Sequence, residues 1–284
     1  MSRDIALLAV DIDGTLVNGG VMQPADVRAL HRAAAAGIRV CLCTGRSWTE
    51  TKPVWEALAL PGPHMPVICV GGAVVVEPGT GRSLYSRPFE RAVARDLTNA
   101  MLGLGLPAMA LVDAWREGFD YYMLGQYDEI PAYRKFFGQQ TAAIRRLDHF
   151  NGDPFARPLR ISILEQPERT EEVLEVLRKQ FGGAAELHAI CAPNYGVHIV
   201  ECFASGTTKF SALTYVGQGF RLGSAAIAAI GDDHNDISML AGVAASAAPA
   251  DSPPAVLAAA KRTVARRGQC AVAEFVEFLL AAKA

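Results

Sequence analysis

No run of this 284-residue chain approaches the roughly 20 apolar positions that a membrane-spanning helix needs. The first apolar stretch, Ile5 to Val10, is too short for the hydrophobic region of a signal peptide and ends in Asp11, so the expected location is cytoplasmic, with no membrane partner. A surplus of one charge is lacking too. The 27 Lys and Arg stand against 29 Asp and Glu, a formal net charge of -2, and no like-charge block forms a tail. That balance argues against nucleic acid and anionic membranes as partners and for small-molecule chemistry. The six cysteines, Cys41, Cys43, Cys69, Cys191, Cys202 and Cys270, contain no C-x-x-C pair, which excludes a disulfide framework or a zinc site of the usual spacing. Cys41 and Cys43 share one face of an extended strand and read as small core residues.

What is present is core material, at 51% hydrophobic residues, enough for one or two domains. Four apolar runs lack polar alternation: Ile5 to Val10, Arg39 to Cys43, Val67 to Val70 and Ala226 to Ile230. Such runs suit parallel strands buried on both faces. Between the first two, Val27, Leu30, Ala33 and Ala34 recur at helical spacing over Pro24 to Ala36, with Gly37 as a stop. Ser47 to Leu58 reads as a second helix with Ser47 as its cap. The expected fold is α/β, a doubly wound parallel-sheet, Rossmann-like core.

From Gly79 to Gly206 the strands become half polar. Helices are expected over Pro88 to Leu104 and Pro167 to Phe181. Strands are expected over Ala108 to Asp113, Phe119 to Leu124, Pro158 to Glu165, Glu186 to Ile190 and Val197 to Phe203. Turn residues at Pro78-Gly79-Thr80-Gly81 and Ser205-Gly206 mark exit and return points. Residues 79–206 are therefore expected to form an inserted α+β domain, with 1–78 and 207–284 as the core. Further on, a short strand at Val243 to Ala245 and a helix from Pro254 are expected.

Candidate chemistry collects at strand ends. Asp11 and Asp13 follow the first strand, where open α/β sheets bind ligands. Gly14 lets the chain bend so that Thr15 and nearby N–H groups reach the same point. Paired carboxylates repel, and a divalent cation such as Mg²⁺ relieves the repulsion; a solvated turn is the alternative reading of such a fragment. Thr44, Gly45 and Arg46 follow the second strand, where a hydroxyl and free N–H groups at a helix start would seat phosphate oxygens; a plain strand-to-helix turn is the alternative. Lys209 could neutralise both a phosphate and Asp11, or simply face solvent. After Ala226 to Ile230 comes Gly231-Asp232-Asp233-His234-Asn235-Asp236. There Asp232 is the candidate metal ligand and Asp236 the residue that orients its neighbours.

Together, D-I-D-G-T at 11 to 15, T-G-R at 44 to 46, Lys209 and G-D-D-H-N-D at 231 to 236 resemble the haloacid dehalogenase-like (HAD) phosphohydrolase superfamily. The resemblance narrows to its sugar-phosphatase-like branch, with the class IIB α/β cap inserted between the second and third motifs. It implies Asp11 as nucleophile forming an aspartyl-phosphate, and Asp13 as general acid and then base. It also implies Mg²⁺ held by Asp11, Asp232 and the backbone carbonyl of Asp13. Lys209, Thr44 and Asn235 would surround the phosphoryl oxygens, and Arg46 would face the substrate. The implied function is hydrolysis of a small phosphorylated metabolite, a sugar phosphate or phosphorylated cofactor, by a monomer or homodimer. A phosphomutase or phosphotransferase is the alternative, and a non-catalytic phosphometabolite-binding protein the third.

The cap is expected to set specificity, through loops such as Cys191-Ala192-Pro193-Asn194-Tyr195. Tyr121, Tyr122 and Tyr195 read as cap core or surface, His188 and His198 as ordinary strand residues, and His234 as solvent-facing. The chain departs from the family pattern at Gly71-Gly72-Ala73, where Asn-Gly-Ala is frequent, at Phe210, where glycine is usual, and at Ala245-Ser246-Ala247, where Met-Gly-Asn is common.

Overall fold

The computed structural model describes residues 5–138, 142–147, 157–192 and 195–282. They form two compact units: Met1–Arg46, Thr51–Arg82 and Thr208–Ala284 in one, Ser47–Glu50 and Ser83–Thr207 in the other.

The first unit is built on a five-stranded sheet in the order Thr263–Val264, Ala245–Pro249, Ile227–Ile230, Leu7–Val10, Arg39–Leu42. Every pairing in it is parallel. Leu7–Val10 lies near the middle, matched residue for residue to Ile227–Ile230 on one side and Arg39–Leu42 on the other. Its four side chains are wholly buried, which is why the run shows no polar alternation. Between the strands run helices, including Pro24–Ala35, which starts with proline in its first turn and is followed by Gly37 at φ +81°. Asp26 at its start accepts the N–H of Ala273, tying this helix to the first turn of Ala271–Ala281.

The run Val67–Cys69 meets the parallel sheet through one parallel bridge, Cys43↔Ile68, and on its other side pairs antiparallel with Val74–Glu77. Val70, Gly71 and Gly72 all carry positive φ and turn the chain straight back into that hairpin. One sequence expectation needs correction. The strand expected at Val243 to Ala245 runs instead over Ala245–Pro249. Ala248 and Ala250 donate to Arg262 and Val264, so the nitrogen of Pro249 faces the other side, past the last matched pair Ile230↔Ala247. A proline costs no ladder bond there.

The second unit is a six-stranded sheet in the order Ile144–Leu147, Tyr121–Leu124, Ala108–Leu111, Arg160–Glu165, Val197–Ala204, Ala185–Ala192. Its pairs are antiparallel except the one between Ile144–Leu147 and Tyr121–Leu124. Helices Arg91–Gly103 and Thr170–Phe181 pack on one face, around Leu97, Met101, Ile161, Ile163, Leu177 and Val200. Alternate strand positions point the other way and are partly polar. Arg160 lies there, and its Nη1 donates to Glu201 at 2.5 Å while Nη2 donates to the Tyr121 hydroxyl at 3.2 Å. His188 shares the second oxygen of Glu201 at 3.1 Å, whereas His198 bonds Thr170. Pro193 and Asn194 of the expected specificity loop lie outside the described residues.

Arg160 and Glu201 are both buried, so truncating one leaves the other's charge desolvated. Arg160→Met is expected to destabilise the protein by about 3–5 kcal/mol in urea unfolding, and the double variant Arg160→Met, Glu201→Leu by clearly less. A double variant as unstable as the single one would show that the pair's charge is not the issue.

Candidate active site

Parallel strands that end on one edge deliver their following loops to one place. Asp11 follows Leu7–Val10, Thr44 follows the strand Arg39–Leu42 by one residue, and Asp232 follows Ile227–Ile230 by one. Asp251 lies just past Ala245–Pro249, and Arg267 just past Thr263–Val264. Thus all five strands of the sheet contribute to the same edge.

At its centre is Lys209, 1% exposed. Its Nζ donates to Asp11 Oδ1 at 2.6 Å and to Asp236 Oδ1 at 2.7 Å. Lys209 opens the helix Lys209–Gly219, whose N-cap, Thr208, forms a reciprocal capping box with Ser211. The cap is pressed against Gly72, where an added Cβ would come within 2.2 Å of the Thr208 carbonyl oxygen. Gly72 therefore sets the depth from which the lysine reaches inward.

Asp236 bonds its neighbours through both oxygens. While Oδ1 holds Lys209, Oδ2 accepts the backbone N–H groups of Asp232 and Asp233 at 3.0 and 3.1 Å. Asp232 in turn takes the Thr15 hydroxyl on Oδ1 at 2.7 Å. Gly14, at φ +81°, leaves no room between them, since a Cβ there would lie 2.1 Å from Asp232 Oδ2. Asn235 lies near Gly45, with its Nδ2 3.7 Å from where a Cβ on that glycine would be. His234 is exposed and bonded to Asp233 at 2.9 Å.

Asp13 stands apart from this cluster. Its side chain is 60% exposed, and Arg46 forks it, with Nε on Oδ2 at 2.7 Å and Nη2 on Oδ1 at 2.5 Å. Thr44 is fully buried, and its hydroxyl accepts the Arg46 N–H at 3.2 Å. The helix-start seat for phosphate requires correction. The N–H of Ser47 is taken by Glu50 Oε2 at 2.8 Å, and that of Glu50 reaches Ser47 Oγ at 3.3 Å. Ser47 is the cap, as its position suggests, but the capping box closes with the helix's own carboxylate on N–H groups otherwise open to an anion.

Arg267 was not legible as a site residue. Its Nε donates to Asp232 Oδ2 at 2.9 Å and its Nη2 to the Asp232 carbonyl at 3.0 Å. Its own N–H is anchored on Asp251 at 2.9 Å. The Arg266-Arg267 pair follows no motif and reads in the sequence as a solvated basic turn; its position next to the edge strand Thr263–Val264 is the only signal that could have singled it out.

One carboxylate oxygen each from Asp11, Asp232 and Asp236 lies within 4.8 Å of the others, and all three residues are buried. Burial raises the Asp11 carboxyl well above its ordinary range; Lys209 opposes the rise, and Asp236 and Asp232 add to it. Burial, then Asp236, pushes Asp232 up to about 6. Lys209 stays protonated: burial alone would lower its pKa, but Asp11 and Asp236 hold it well above the usual lysine value. The cluster thus bears more negative charge than its surroundings relieve, and it offers hard oxygen donors. Those are the requirements of a divalent metal ion such as Mg²⁺ or Ca²⁺. Asp236 spends both oxygens on buried partners, Lys209 and backbone N–H groups, whereas Asp11 gives one oxygen to Lys209 and Asp232 meets the Thr15 hydroxyl and the part-exposed Arg267, so Asp11 and Asp232 are the side chains suited to hold it.

Two of the three departures from the family pattern make identifiable contacts, and nothing in the structure explains the third, Ala245-Ser246-Ala247. Gly71 donates its N–H to the Thr44 carbonyl at 3.0 Å, so the backbone itself braces that loop. Phe210 lies over Gly242, where a Cβ would meet the ring at 2.4 Å.

Comparison with known proteins identifies the family. The family model for haloacid dehalogenase-like hydrolases matches residues 8–276. The chain is 25% identical over 280 residues to the putative phosphatase YxeH of Bacillus subtilis, covering 98% of this chain and 99% of that one. It is 24% identical over 285 residues to the pyridoxal phosphate phosphatase YbhA of Escherichia coli, covering 95% and 97%. A solved HAD subclass IIB sugar phosphatase superposes with a TM-score of 0.77 at 19% identity, covering 96% of this chain and 98% of that one. No helix among the described residues is long and apolar enough to cross a membrane.

The raised Asp232 carboxyl has a pH consequence. Below its ordinary 3.8 the group is protonated whether folded or unfolded, and its contribution to stability is whole; as pH rises through about 6 that contribution is lost. In metal-free protein, the stability difference between wild type and Asp232→Asn, followed by urea unfolding, should therefore fall across that interval and level off above it. A difference that stays flat would contradict a crowded, buried carboxyl.

Proposed function

The chain belongs to the haloacid dehalogenase-like hydrolases, and from that premise we propose that it is a Mg²⁺-dependent phosphatase. Its substrate would be a small phosphomonoester, a sugar phosphate or phosphorylated cofactor, hydrolysed through an aspartyl-phosphate. One observation carries the reading: Lys209 bridges Asp11 and Asp236 at a buried point beside Asp232. A solvated turn or a surface lysine has no need of that arrangement, and a binding module has no need of a second carboxylate, Asp13, at the rim.

In this reading Asp11, Asp232 and the Asp13 carbonyl would hold Mg²⁺, which when bound would supply positive charge for the phosphoryl oxygens. Asp11 attacks phosphorus; a bond forms from its carboxylate oxygen as the bond to the leaving oxygen breaks. Asp13 gives that oxygen its proton and then takes one from the water that cleaves the aspartyl-phosphate, returning Asp11 and releasing phosphate. Lys209, the Thr44 hydroxyl and Asn235 offer donors to the transferring group, while Arg46 and Gly45 line the substrate side. Asp236 fixes Lys209 and the Asp232 backbone.

Residues 79–206 form the cap in this reading and set which alcohol leaves. The pyridoxal phosphate phosphatase among the relatives favours including phosphorylated cofactors in the substrate class.

Wild-type protein with Mg²⁺ and a panel of phosphomonoesters should release inorganic phosphate. Asp11→Asn should lose at least about a thousandfold in kcat, the scale of removing an essential catalytic group, and chelation should abolish turnover. Equal release from wild type and Asp11→Asn, or none across a broad panel, overturns the reading.

A further inference from the structure

Asp232 is held from two sides by groups that play different parts. Thr15 gives one neutral hydrogen bond to Oδ1. Arg267 gives two bonds, to Oδ2 and to the main-chain carbonyl of the same residue, and brings a full positive charge. It is the second cation on the cluster after Lys209, and it arrives from the far end of the sheet, on a loop pinned by Asp251. Its side chain is 32% exposed, so it sits at the rim, where structural packing makes little use of it.

The charges around the cluster can be counted. Asp11, Asp232 and Asp236 bring three negative charges, while Lys209 and Arg267 bring two positive ones. Asp13 is balanced by Arg46, while Asp233, whose partner His234 is charged only when protonated, adds negative charge beside Asp232. A divalent cation offsets the excess negative charge of the ionised cluster, and Arg267 supplies one positive charge beyond what Lys209 and the cation bring. Without Arg267 the cation-loaded cluster would be one unit more negative and would attract a phosphate dianion less.

We propose that Arg267 is a resident counter-cation that makes divalent-cation binding and phosphate binding depend on each other. It occupies Asp232 in the metal-free chain, weakens cation binding there, and hands the excess charge to the phosphate once both are present. The coupling is reciprocal by thermodynamic linkage, so it is readable from either ligand. The inference deepens the proposed function and rests on the reading that Asp11 and Asp232 hold the cation.

The test is calorimetric titration of metal-free full-length protein with Mg²⁺, with and without inorganic phosphate as the probe, for wild type, Arg267→Gln and Arg267→Lys. Removing a unit charge beside a dication should tighten Mg²⁺ alone by about tenfold in Arg267→Gln, and phosphate should then strengthen Mg²⁺ binding far less than it does in wild type. Arg267→Lys keeps the charge and should behave as wild type. Thermal unfolding gives a second readout: Arg267→Gln should melt lower without metal and gain more from Mg²⁺. Unchanged Mg²⁺ affinity or unchanged phosphate coupling in Arg267→Gln overturns the inference while the cation site stands, as does an Arg267→Lys that behaves like Arg267→Gln. Absence of Mg²⁺ binding in every variant overturns the site reading and the inference together.

Discussion

A lysine ammonium sealed from water between two carboxylates is the constraint around which the first unit is organised. Lys209 can be buried because Asp11 and Asp236 meet it at hydrogen-bonding distance, and those carboxylates can be buried because it is there. Each partner comes from a different segment, so the interaction closes only when the strand Leu7–Val10, the loop after Ile227–Ile230 and the start of helix Lys209–Gly219 are in register. Fold and site are in this sense one arrangement. The acids still outnumber the lysine, and burial, then the neighbouring Asp236, raises the carboxyl of Asp232.

Close backbone approach makes the arrangement compact. Gly14 and Gly231 stand where any side chain would strike Asp232 or Asp236, and Gly72 lies against the cap of the lysine's helix. The clash at Gly14 is with the carboxylate itself, so the restriction there protects charge placement as much as chain path. At Gly242 the same logic serves packing, because that position receives the Phe210 ring. Gly71 braces the Thr44 loop through its main chain.

The second unit uses charge differently. Its sheet devotes one face to an apolar layer under two helices and keeps buried polar groups such as Arg160, Ser162 and Glu201 among the alternate positions. Tyr121 and Tyr133 accept from Arg160 and from the Leu164 N–H, and burial pushes the pKa of both hydroxyls up, so both stay protonated across the physiological range, Tyr133 donating to the Pro107 carbonyl. His188 and His198 face different partners.

Much was legible in the sequence because it depends on short spacing. Uninterrupted apolar runs marked the buried parallel strands, and acids placed directly after them marked the edge where ligands bind, since a strand's end dictates where its next residues emerge. Asp11, Asp232 and Asp236 could be named for the same reason, while Lys209 gained weight only from the company of the other motifs. Contacts between distant segments were not legible. Pro249 ended a strand whose nitrogen faced away from its partner, three positive φ angles turned Val67–Cys69 into a hairpin, and Glu50 closed the helix start that had looked open to phosphate. Above all, the sequence named Asp13 beside Asp11 but could not foresee that Arg46 takes it away from the acid cluster, nor that Arg267 comes to Asp232 from 35 residues downstream. Local spacing determines which groups leave a strand's end; which charge each one meets depends on how the sheet orders its strands in space.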